Sequence, residues 1–232
     1  MTTPRCSAGS RKPRNDPLAM MAVVEPTLEV ELEMLAAGAS CVIGCDEVGR
    51  GALAGPVAVG VAVITADVGA FPVGLRDSKL LSEPRRELLA PLAAAWVRHS
   101  AVGLASAQEV DAVGIIAALG LAGKRALAQL HADGVDIVGG VVLLDGNDDW
   151  LNKALSTPLS VVTRIKADQD CASVSAASVI AKVHRDRLMI AADLSYPGYG
   201  WKGNKGYGSA EHMNAIGTLG ASEHHRLTWL KN

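Results

Sequence analysis

Residues 41–51 read Cys-Val-Ile-Gly-Cys-Asp-Glu-Val-Gly-Arg-Gly and contain the first strand and the first acidic pair of the chain. The apolar run 41–45 is short and is followed by two acids and a glycine turn, which predicts a buried β-strand. The segment 57–63 alternates valine with small residues, and this period of two predicts a second strand. Asp46 and Glu47 are therefore expected where the first strand ends.

The rest of the chain alternates between predicted strands and predicted helices. Further strands are expected over 97–105, 137–144 and 159–166, and helices over 82–92, 110–130 and 173–192. This order predicts an α/β fold built on one sheet that has an antiparallel part and a parallel part.

Composition and length limit the class of protein. The 232 residues suffice for one large domain, which we expect at 26–232, with a small helical C-terminal region from about 195 to 232. Residues 1–25 are rich in Pro, Ser and Arg and are expected to form a disordered tail. An apolar fraction of 49% excludes a wholly disordered chain. The net charge of −2 excludes a protein that coats nucleic acid by bulk positive charge.

The cysteines and the N-terminal segment indicate a reducing, cytoplasmic setting. Four cysteines in a chain of this length do not suggest a disulfide framework. No apolar run reaches the ~18 residues that a membrane span needs. The short apolar run 18–24 continues into Glu25-Pro26 without a signal-peptide cleavage site. We therefore expect a cytoplasmic protein with no membrane association.

Carboxylates stand at the ends of three predicted strands. Asp46, Asp145 and Asp168 each follow an apolar run, and Glu47 is beside the first. Because strand ends at the carboxyl edge of an α/β sheet form its functional rim, we expect these acids to converge. Clustered carboxylates repel one another unless a cation lies between them, and their hard oxygens suit Mg²⁺ or Mn²⁺. Two such ions, ~3.5–4 Å apart, would support an in-line phosphoryl displacement.

Other interpretations stay open on these residues alone. The aspartates can also cap helices or begin turns. Gly49-x-Gly51-x-x-Ala54 is similar to a dinucleotide-binding fingerprint, which favours an oxidoreductase, although the strand predicted after it is not the helix that such a site needs. A third interpretation is a protein with the same α/β fold that binds nucleic acid but does not catalyse a reaction. His224 and His225 are expected on the surface.

The loop 196–208 is a second candidate site, because four of the eight aromatic residues of the chain lie in it. Lys202 and Lys205 are interleaved with these rings, so lysines can meet phosphates while an aromatic ring stacks on a sugar or base. Trp201 and Tyr196 are expected to pack on the core. Tyr207 is flanked by glycines and is expected to stay accessible.

In their order along the chain, these motifs resemble those of the ribonuclease HII family, the type 2 ribonucleases H. The resemblance covers about residues 28–228 and leaves the N-terminal tail outside. The motifs that carry it are Cys45-Asp46-Glu47-Val48-Gly49-Arg50-Gly51, Gly55-Pro56-Val57, Asp77-Ser78-Lys79, Asp145-Gly146-Asn147, Lys166-Ala167-Asp168, Ser175-Ala176-Ala177-Ser178 with Lys182, Arg185 and Asp186, Tyr199-Gly200-Trp201, Asn204-Lys205-Gly206-Tyr207-Gly208, and Glu223-His224-His225-Arg226.

The resemblance implies a fold and an activity. The expected fold is the ribonuclease H-like mixed sheet of five strands flanked by helices, with a small helical C-terminal region. The expected activity is endonucleolytic hydrolysis of the RNA strand of RNA–DNA hybrids and incision 5′ to a single ribonucleotide in duplex DNA. A two-metal mechanism would leave 3′-OH and 5′-phosphate ends. The expected partners are these nucleic acids, with the chain acting as a monomer.

The resemblance also implies roles for individual residues. The expected catalytic residues and metal ligands are Asp46, Glu47, Asp145 and Asp168. The backbone of Gly49, Arg50 and Gly51 is expected to contact the ribose 2′-OH, which separates RNA from DNA. Tyr207 is expected to stack on the following deoxyribose. The residues expected to face the nucleic-acid backbone are Ser78, Lys79, Ser175 and Lys182.

Two positions depart from the family pattern. Leu80 stands where the family usually has a second lysine, so one charge that faces phosphate is expected to be missing. Gly114 stands where the family often has asparagine. Neither position is one of the four acids, so we expect the first departure to affect affinity rather than mechanism.

Overall fold

The structure is a computed structural model, and it describes residues 25–230. Apart from its last residue, the tail expected over 1–25 lies outside these described residues. Five strands form one sheet, and their bounds are β1 Val42–Val48, β2 Val57–Ile64, β3 His99–Ala105, β4 Val141–Asp145 and β5 Ser160–Arg164. The helices are α1 Glu29–Ala36, α2 Glu83–Trp96, α3 Ala107–Val113, α4 Ile115–Ala132, α5 Ala167–Asp170, α6 Ala172–Ser195, α7 Trp201–Asn204 and α8 Ala210–Leu219.

The sheet is mixed, as the order of elements predicts. Its strand order is β3-β2-β1-β4-β5. β1, β2 and β3 pair in antiparallel fashion, whereas β1, β4 and β5 run parallel. The carboxyl ends of β1 and β4 are therefore neighbours, with Cys45 opposite Leu144 in the register. This places Asp46 and Asp145, the next residue of each strand, beside each other at one edge of the sheet.

Each face of the sheet carries its own core. The odd-numbered residues of β1 and β2 pack with α4, and the even-numbered residues face α6 and α2. Glycines let α6 approach the sheet closely, since a Cβ at Gly44 would lie 2.4 Å from the carbonyl carbon of Ser173, and one at Gly60 would lie 2.5 Å from the Ala177 oxygen. α6 therefore lies directly against the strand that carries Asp46.

Several boundaries differ from those expected from the sequence. β1 continues to Val48 rather than ending at 45, so Asp46 and Glu47 are strand residues. The helix expected over 110–130 is two helices, α3 and α4, because Gly114 between them has φ +80°. Asp168 does not directly follow a strand but lies in the short helix α5.

The C-terminal region contains α7, α8 and a short 3₁₀ helix at Leu227–Trp229. Trp201 is fully buried there, as expected. His225 is buried as well, which corrects the expectation that both histidines at 224–225 lie on the surface; it contacts His212 of α8. No helix among the described residues is both long and apolar enough to cross a membrane.

Candidate active site

Three of the four predicted acids meet at one edge of the sheet. Asp46 lies in β1, Asp145 ends β4 and Asp168 belongs to α5. One carboxylate oxygen from each residue can be chosen such that all three lie within 4.8 Å of one another. Asp46 and Asp168 are buried, and Asp145 is half-buried. We call these residues the aspartate cluster.

Asp168 reaches the cluster through a tight connection between β5 and α6. Lys166 takes the left-handed conformation with φ +62°, which turns the chain from β5 into α5. The Asp168 N–H then donates to Asp145 Oδ1 at 3.5 Å. The Ser175 hydroxyl donates to the Asp168 carbonyl at 2.7 Å. Ser175, expected to face the nucleic-acid backbone, is fully buried in this structure and holds the Asp168 backbone.

The electrostatics of the aspartate cluster favour a bound cation. Burial raises the pKa of Asp46 well above its usual value and outweighs a hydrogen bond with Ser178 that lowers it, and the Glu47 charge raises it further. Burial and the charge of Asp168 raise the pKa of Asp145. Negative charge is thus concentrated in a partly dry site, and the oxygen donors are those that Mg²⁺ and Mn²⁺ prefer. The residues present fit such ions.

Lys79, expected to face nucleic acid, contacts the aspartate cluster in this structure, where its Nζ lies 2.9 Å from Asp168 Oδ2. Burial alone would lower the pKa of Lys79, but the contact with Asp168 and the charges of Asp46 and Asp77 outweigh it and raise the pKa. Asp77 is buried, and its carboxylate accepts a hydrogen bond from the Lys79 backbone N–H at 3.0 Å.

Glu47 stands apart from the aspartate cluster. Adjacent residues of a strand point to opposite faces, so Asp46 and Glu47 diverge once β1 continues through both. The Glu47 carboxylate instead lies 3.4 Å from the Arg50 guanidinium, a partly exposed pair. Its charge still contributes to the raised pKa of Asp46, after burial as the main cause, so Glu47 remains close to the site.

The turn at 49–51 lies next to the cluster, at the end of β1. Gly49 has φ +82°, and a Cβ there would lie 2.1 Å from Arg185 Nε, so this position requires glycine. Arg50 and Gly51 are exposed. The turn leads into β2 rather than into a helix, so the helix N-terminus that a dinucleotide pyrophosphate needs is missing from this turn. This excludes the oxidoreductase interpretation of Gly49-x-Gly51-x-x-Ala54.

Tyr207 lies half-buried over two cations. Lys182 Nζ is 5.7 Å and Arg185 Cζ 5.4 Å from the centroid of the Tyr207 ring. Lys182 is also paired with Asp186, at 2.6 Å between Nζ and Oδ1. Ser78, expected to face the nucleic-acid backbone, is buried in this structure, and its hydroxyl oxygen lies 2.9 Å from that of Ser178.

Comparison with known proteins agrees with this geometry. The family model described as Ribonuclease HII matches residues 43–232. Ribonuclease HII of Streptomyces griseus is 46% identical over 208 residues, which cover 88% of this chain and 84% of the relative. Ribonuclease HII of Streptomyces avermitilis is 44% identical over 205 residues, with 88% and 83% covered. The chain belongs to the ribonuclease HII family.

A solved structure supports the same assignment of the fold. The ribonuclease H2 from Pyrococcus horikoshii superposes with a TM-score of 0.57 at 27% identity, over 82% of this chain and 93% of that one. The predicted ribonuclease H-like fold is thus confirmed, and the chain is a ribonuclease H enzyme. Ribonucleases H depend on divalent metal ions, which is consistent with the aspartate cluster of this ribonuclease HII.

Two further residues of this ribonuclease HII lie at the site without having been assigned a role from sequence. Arg185 of α6 and Arg226 near the C-terminus are fully buried. Arg226 donates to the carbonyls of Gly49 and Arg50, at 2.7 and 2.8 Å. Both residues were visible within the matching motifs, but nothing in a sequence indicates that a guanidinium will bind main-chain carbonyls.

Proposed function

We propose that this ribonuclease HII hydrolyses the RNA strand of RNA–DNA hybrids and also incises 5′ to a single ribonucleotide embedded in duplex DNA. The products would carry 3′-OH and 5′-phosphate ends. The observation that carries this proposal is the convergence of Asp46, Asp145 and Asp168, whose oxygens lie within 4.8 Å of one another beside the glycine turn at 49–51. A phosphodiesterase site thereby lies next to a backbone suited to contact a 2′-OH.

Asp46, Asp145 and Asp168, with Glu47 close by, would hold two divalent cations, Mg²⁺ or Mn²⁺. Ions held in this way polarise the phosphate and balance the charge on the attacking and departing oxygens of an in-line displacement. The protein contributes orientation: β1 and β4 fix Asp46 and Asp145, and Ser175 holds the backbone of Asp168. Four acids would repel a phosphodiester without cations, which argues against a binder without catalysis.

Substrate selection would rest on two contacts with successive nucleotides of the cleaved nucleic-acid strand. The backbone of Gly49, Arg50 and Gly51 would contact the 2′-OH of the ribonucleotide, the group that DNA lacks. The ring of Tyr207 would stack on the deoxyribose that follows. Lys79 would exchange its contact with Asp168 for a phosphate oxygen when nucleic acid and metal ions bind. Lys182 lies next to Tyr207 and would face the backbone there.

We propose that the enzyme acts as a monomer. Light scattering of the eluting peak in size-exclusion chromatography should give a mass near 24.0 kDa. A mass near twice that value would contradict a monomer.

The proposed activity is tested with duplex DNA that carries one ribonucleotide, labelled at the 5′ end of the modified strand. With Mg²⁺ or Mn²⁺ we expect one cut, 5′ to the ribonucleotide. The labelled fragment should be a substrate for polymerase extension, because it ends in 3′-OH. A chelator should abolish cutting, and an all-DNA duplex should stay intact. Cutting that survives the chelator, or a 3′-phosphate end, would overturn the mechanism.

A further inference from the structure

Two arginines of the C-terminal half are buried without a charged partner. Arg185 and Arg226 are both fully buried, and neither forms an ion pair with any carboxylate of residues 25–230. Burial lowers the pKa of Arg226 to about 10 and also lowers that of Arg185. A buried guanidinium is costly unless its N–H groups are bonded, so these two side chains must gain their hydrogen bonds elsewhere.

Arg226 forms hydrogen bonds with the main-chain carbonyls of the 49–51 turn. Its Nη1 donates to the Arg50 carbonyl at 2.8 Å, and its Nη2 donates to the carbonyls of Gly49 at 2.7 Å and Gly55 at 3.3 Å. In a trans peptide the N–H points away from the C=O of the same unit. Because the carbonyls of Gly49 and Arg50 are held inward, the N–H groups of Arg50 and Gly51 are directed to the opposite side, outward from Arg226.

Arg185 connects the segment that follows this turn to the Tyr207 loop. It donates from Nη2 to the Ala54 carbonyl at 3.1 Å and from Nε to the Pro56 carbonyl at 2.8 Å. Its Nη1 donates to the Lys205 carbonyl at 2.9 Å. The same guanidinium lies 5.4 Å from the centroid of the Tyr207 ring. One side chain thus bonds both to the segment that follows the 49–51 turn and to the loop that carries Tyr207.

Main-chain hydrogen bonds join these segments directly. The Leu53 and Ala54 N–H groups both donate to the Gly206 carbonyl, at 2.8 and 3.1 Å. The Arg226 N–H donates to the Leu53 carbonyl at 2.9 Å. A Cβ at Gly206 would lie 2.4 Å from the Ala54 oxygen, so the two backbones are in close contact. We call residues 49–56, 205–207 and 224–226 the clamp.

We propose that Arg226 and Arg185 are positioning residues that fix the distance between the 49–51 turn and the Tyr207 ring, and that this distance selects a ribonucleotide followed by a deoxyribonucleotide. The inference rests on the proposed roles of the turn and of Tyr207. A junction substrate needs both contacts at once, one nucleotide apart. A long RNA strand offers a 2′-OH at every step, so it depends less on the exact spacing.

The test compares two substrates in one preparation of each variant. Arg226→Lys and Arg185→Lys keep a positive charge but replace a planar fork by a single ammonium group. The matched control is Arg187→Lys, an exposed arginine of α6 that pairs with Glu87. We measure kcat/KM for duplex DNA with one ribonucleotide and for a long RNA–DNA hybrid, and we compare their ratio. Both values depend on the same folded fraction, so partial unfolding does not change the ratio.

We expect the ratio of junction to hybrid cleavage to fall at least tenfold in both clamp variants and to stay unchanged in Arg187→Lys, since misplacement by ~1 Å can cost about 10²-fold. If Arg226→Lys yields no folded protein, the test rests on Arg185→Lys, which loses hydrogen bonds on the Tyr207 side. An unchanged ratio in a folded, active clamp variant would overturn this inference but would leave the proposed function intact. A wild-type enzyme that cuts the hybrid but not the single ribonucleotide would overturn the proposed function and the inference with it.

Discussion

Lys79 Nζ lies 2.9 Å from the Asp168 carboxylate, in contact with one of the three acids that would hold metal. The Lys79 side chain is two-thirds exposed, whereas the Asp168 side chain is buried. Lys79 therefore provides positive charge to a site in which Asp46 and Asp145 carry raised pKa values. We expect a metal ion that takes Asp168 as a ligand to displace this contact, so that the lysine and the metal compete.

Substitution of Lys79 by alanine tests this competition. Without metal, Lys79→Ala should lower the free energy of unfolding by on the order of 1 kcal/mol, because the lysine side of the pair is exposed to solvent. Added Mg²⁺ or Mn²⁺ should then raise Tm more in the variant than in the wild type, which thermal melts across a metal titration measure. Lys153→Ala, which removes an exposed pair with Asp148, is the control. An equal or smaller metal-induced shift in Lys79→Ala would contradict competition.

Leu80 offers a gain-of-function test of the proposed nucleic-acid face. Its side chain is 54% exposed and directly follows Lys79. Leu80→Lys should increase affinity for an RNA–DNA hybrid and steepen the plot of log K against log salt by about 1, since one more phosphate is neutralised. Fluorescence anisotropy at several salt concentrations measures both.

The control for Leu80→Lys adds the same charge far from the site. Val138 is 75% exposed and precedes β4, at the end of that strand opposite to Asp145. Val138→Lys should leave the salt slope unchanged. A steeper slope in both variants would mean that any added charge suffices, and would contradict a specific face at Leu80.

Glu31 caps the helix that supports the aspartate cluster. Its Oε1 accepts the Ser173 N–H at 2.9 Å and the Ser173 hydroxyl at 2.8 Å, at the first turn of α6. Burial raises the pKa of Glu31 above its usual value. The folded state thus holds a proton more tightly than the unfolded state, and this carboxyl makes stability fall as pH rises through its folded pKa.

Two substitutions separate the cap from the charge. Glu31→Gln keeps an oxygen for Ser173 and should make the protein more stable than the wild type at pH 7, with the difference shrinking toward pH 4. Glu31→Ala removes the cap as well as the charge and should be about 1–2 kcal/mol less stable than Glu31→Gln at either pH. Chemical denaturation at the two pH values measures both effects. A Glu31→Gln variant whose advantage grows on acidification would contradict a raised pKa for the Glu31 carboxyl.

His225 makes stability depend on acid pH through a buried pair with His212. Trp201 Nε1, which only donates, points at His212 Nε2 at 3.0 Å, so that nitrogen carries no proton. His225 Nε2 then donates to it across 3.1 Å, while His225 Nδ1 accepts the Ser222 N–H at 2.9 Å. Both rings are therefore neutral. Burial and the neighbouring His212 lower the pKa of His225 to about 4.

Because the unfolded histidine titrates near 6.5 and the folded one near 4, stability is full above pH 6.5 and declines as pH falls toward 4. This loss amounts to no more than about 3 kcal/mol. His225→Gln should be less stable at pH 7 but should show a smaller decline between pH 6.5 and 4, which denaturation curves across that range measure. A variant with the same decline as the wild type would contradict the role of His225.

The sequence predicted the sheet and most of the aspartate cluster, because both depend on local patterns. Alternating valines indicated β2, and apolar runs indicated the strands before Asp46 and Asp145. Asp46 and Glu47 were expected just after the first strand, but the strand continues through both acids, which an apolar pattern cannot show. Gly114 was noted only as a departure from a family pattern, although its positive φ divides a helix.

The contacts that the sequence could not indicate are those with main-chain atoms or with distant charges. Arg185 and Arg226 bond to carbonyls, which every residue has, so no partner motif marks them. The Lys79–Asp168 pair joins residues that are 89 positions apart. Ser175 lies in a matching motif, but only the packing of α6 shows that its hydroxyl faces the Asp168 backbone.

The central claim is that the aspartate cluster carries out hydrolysis with divalent cations, and Asp46→Asn tests it most directly. The variant has the same shape but loses the charge. The measurement is cleavage of duplex DNA with one ribonucleotide in Mg²⁺ or Mn²⁺, beside binding of the same duplex; Asp133→Asn, on the exposed end of α4, is the control. We predict that cleavage by Asp46→Asn falls by at least about 10³-fold, while binding and the control stay near wild type. Cleavage by Asp46→Asn at the wild-type rate would contradict the account.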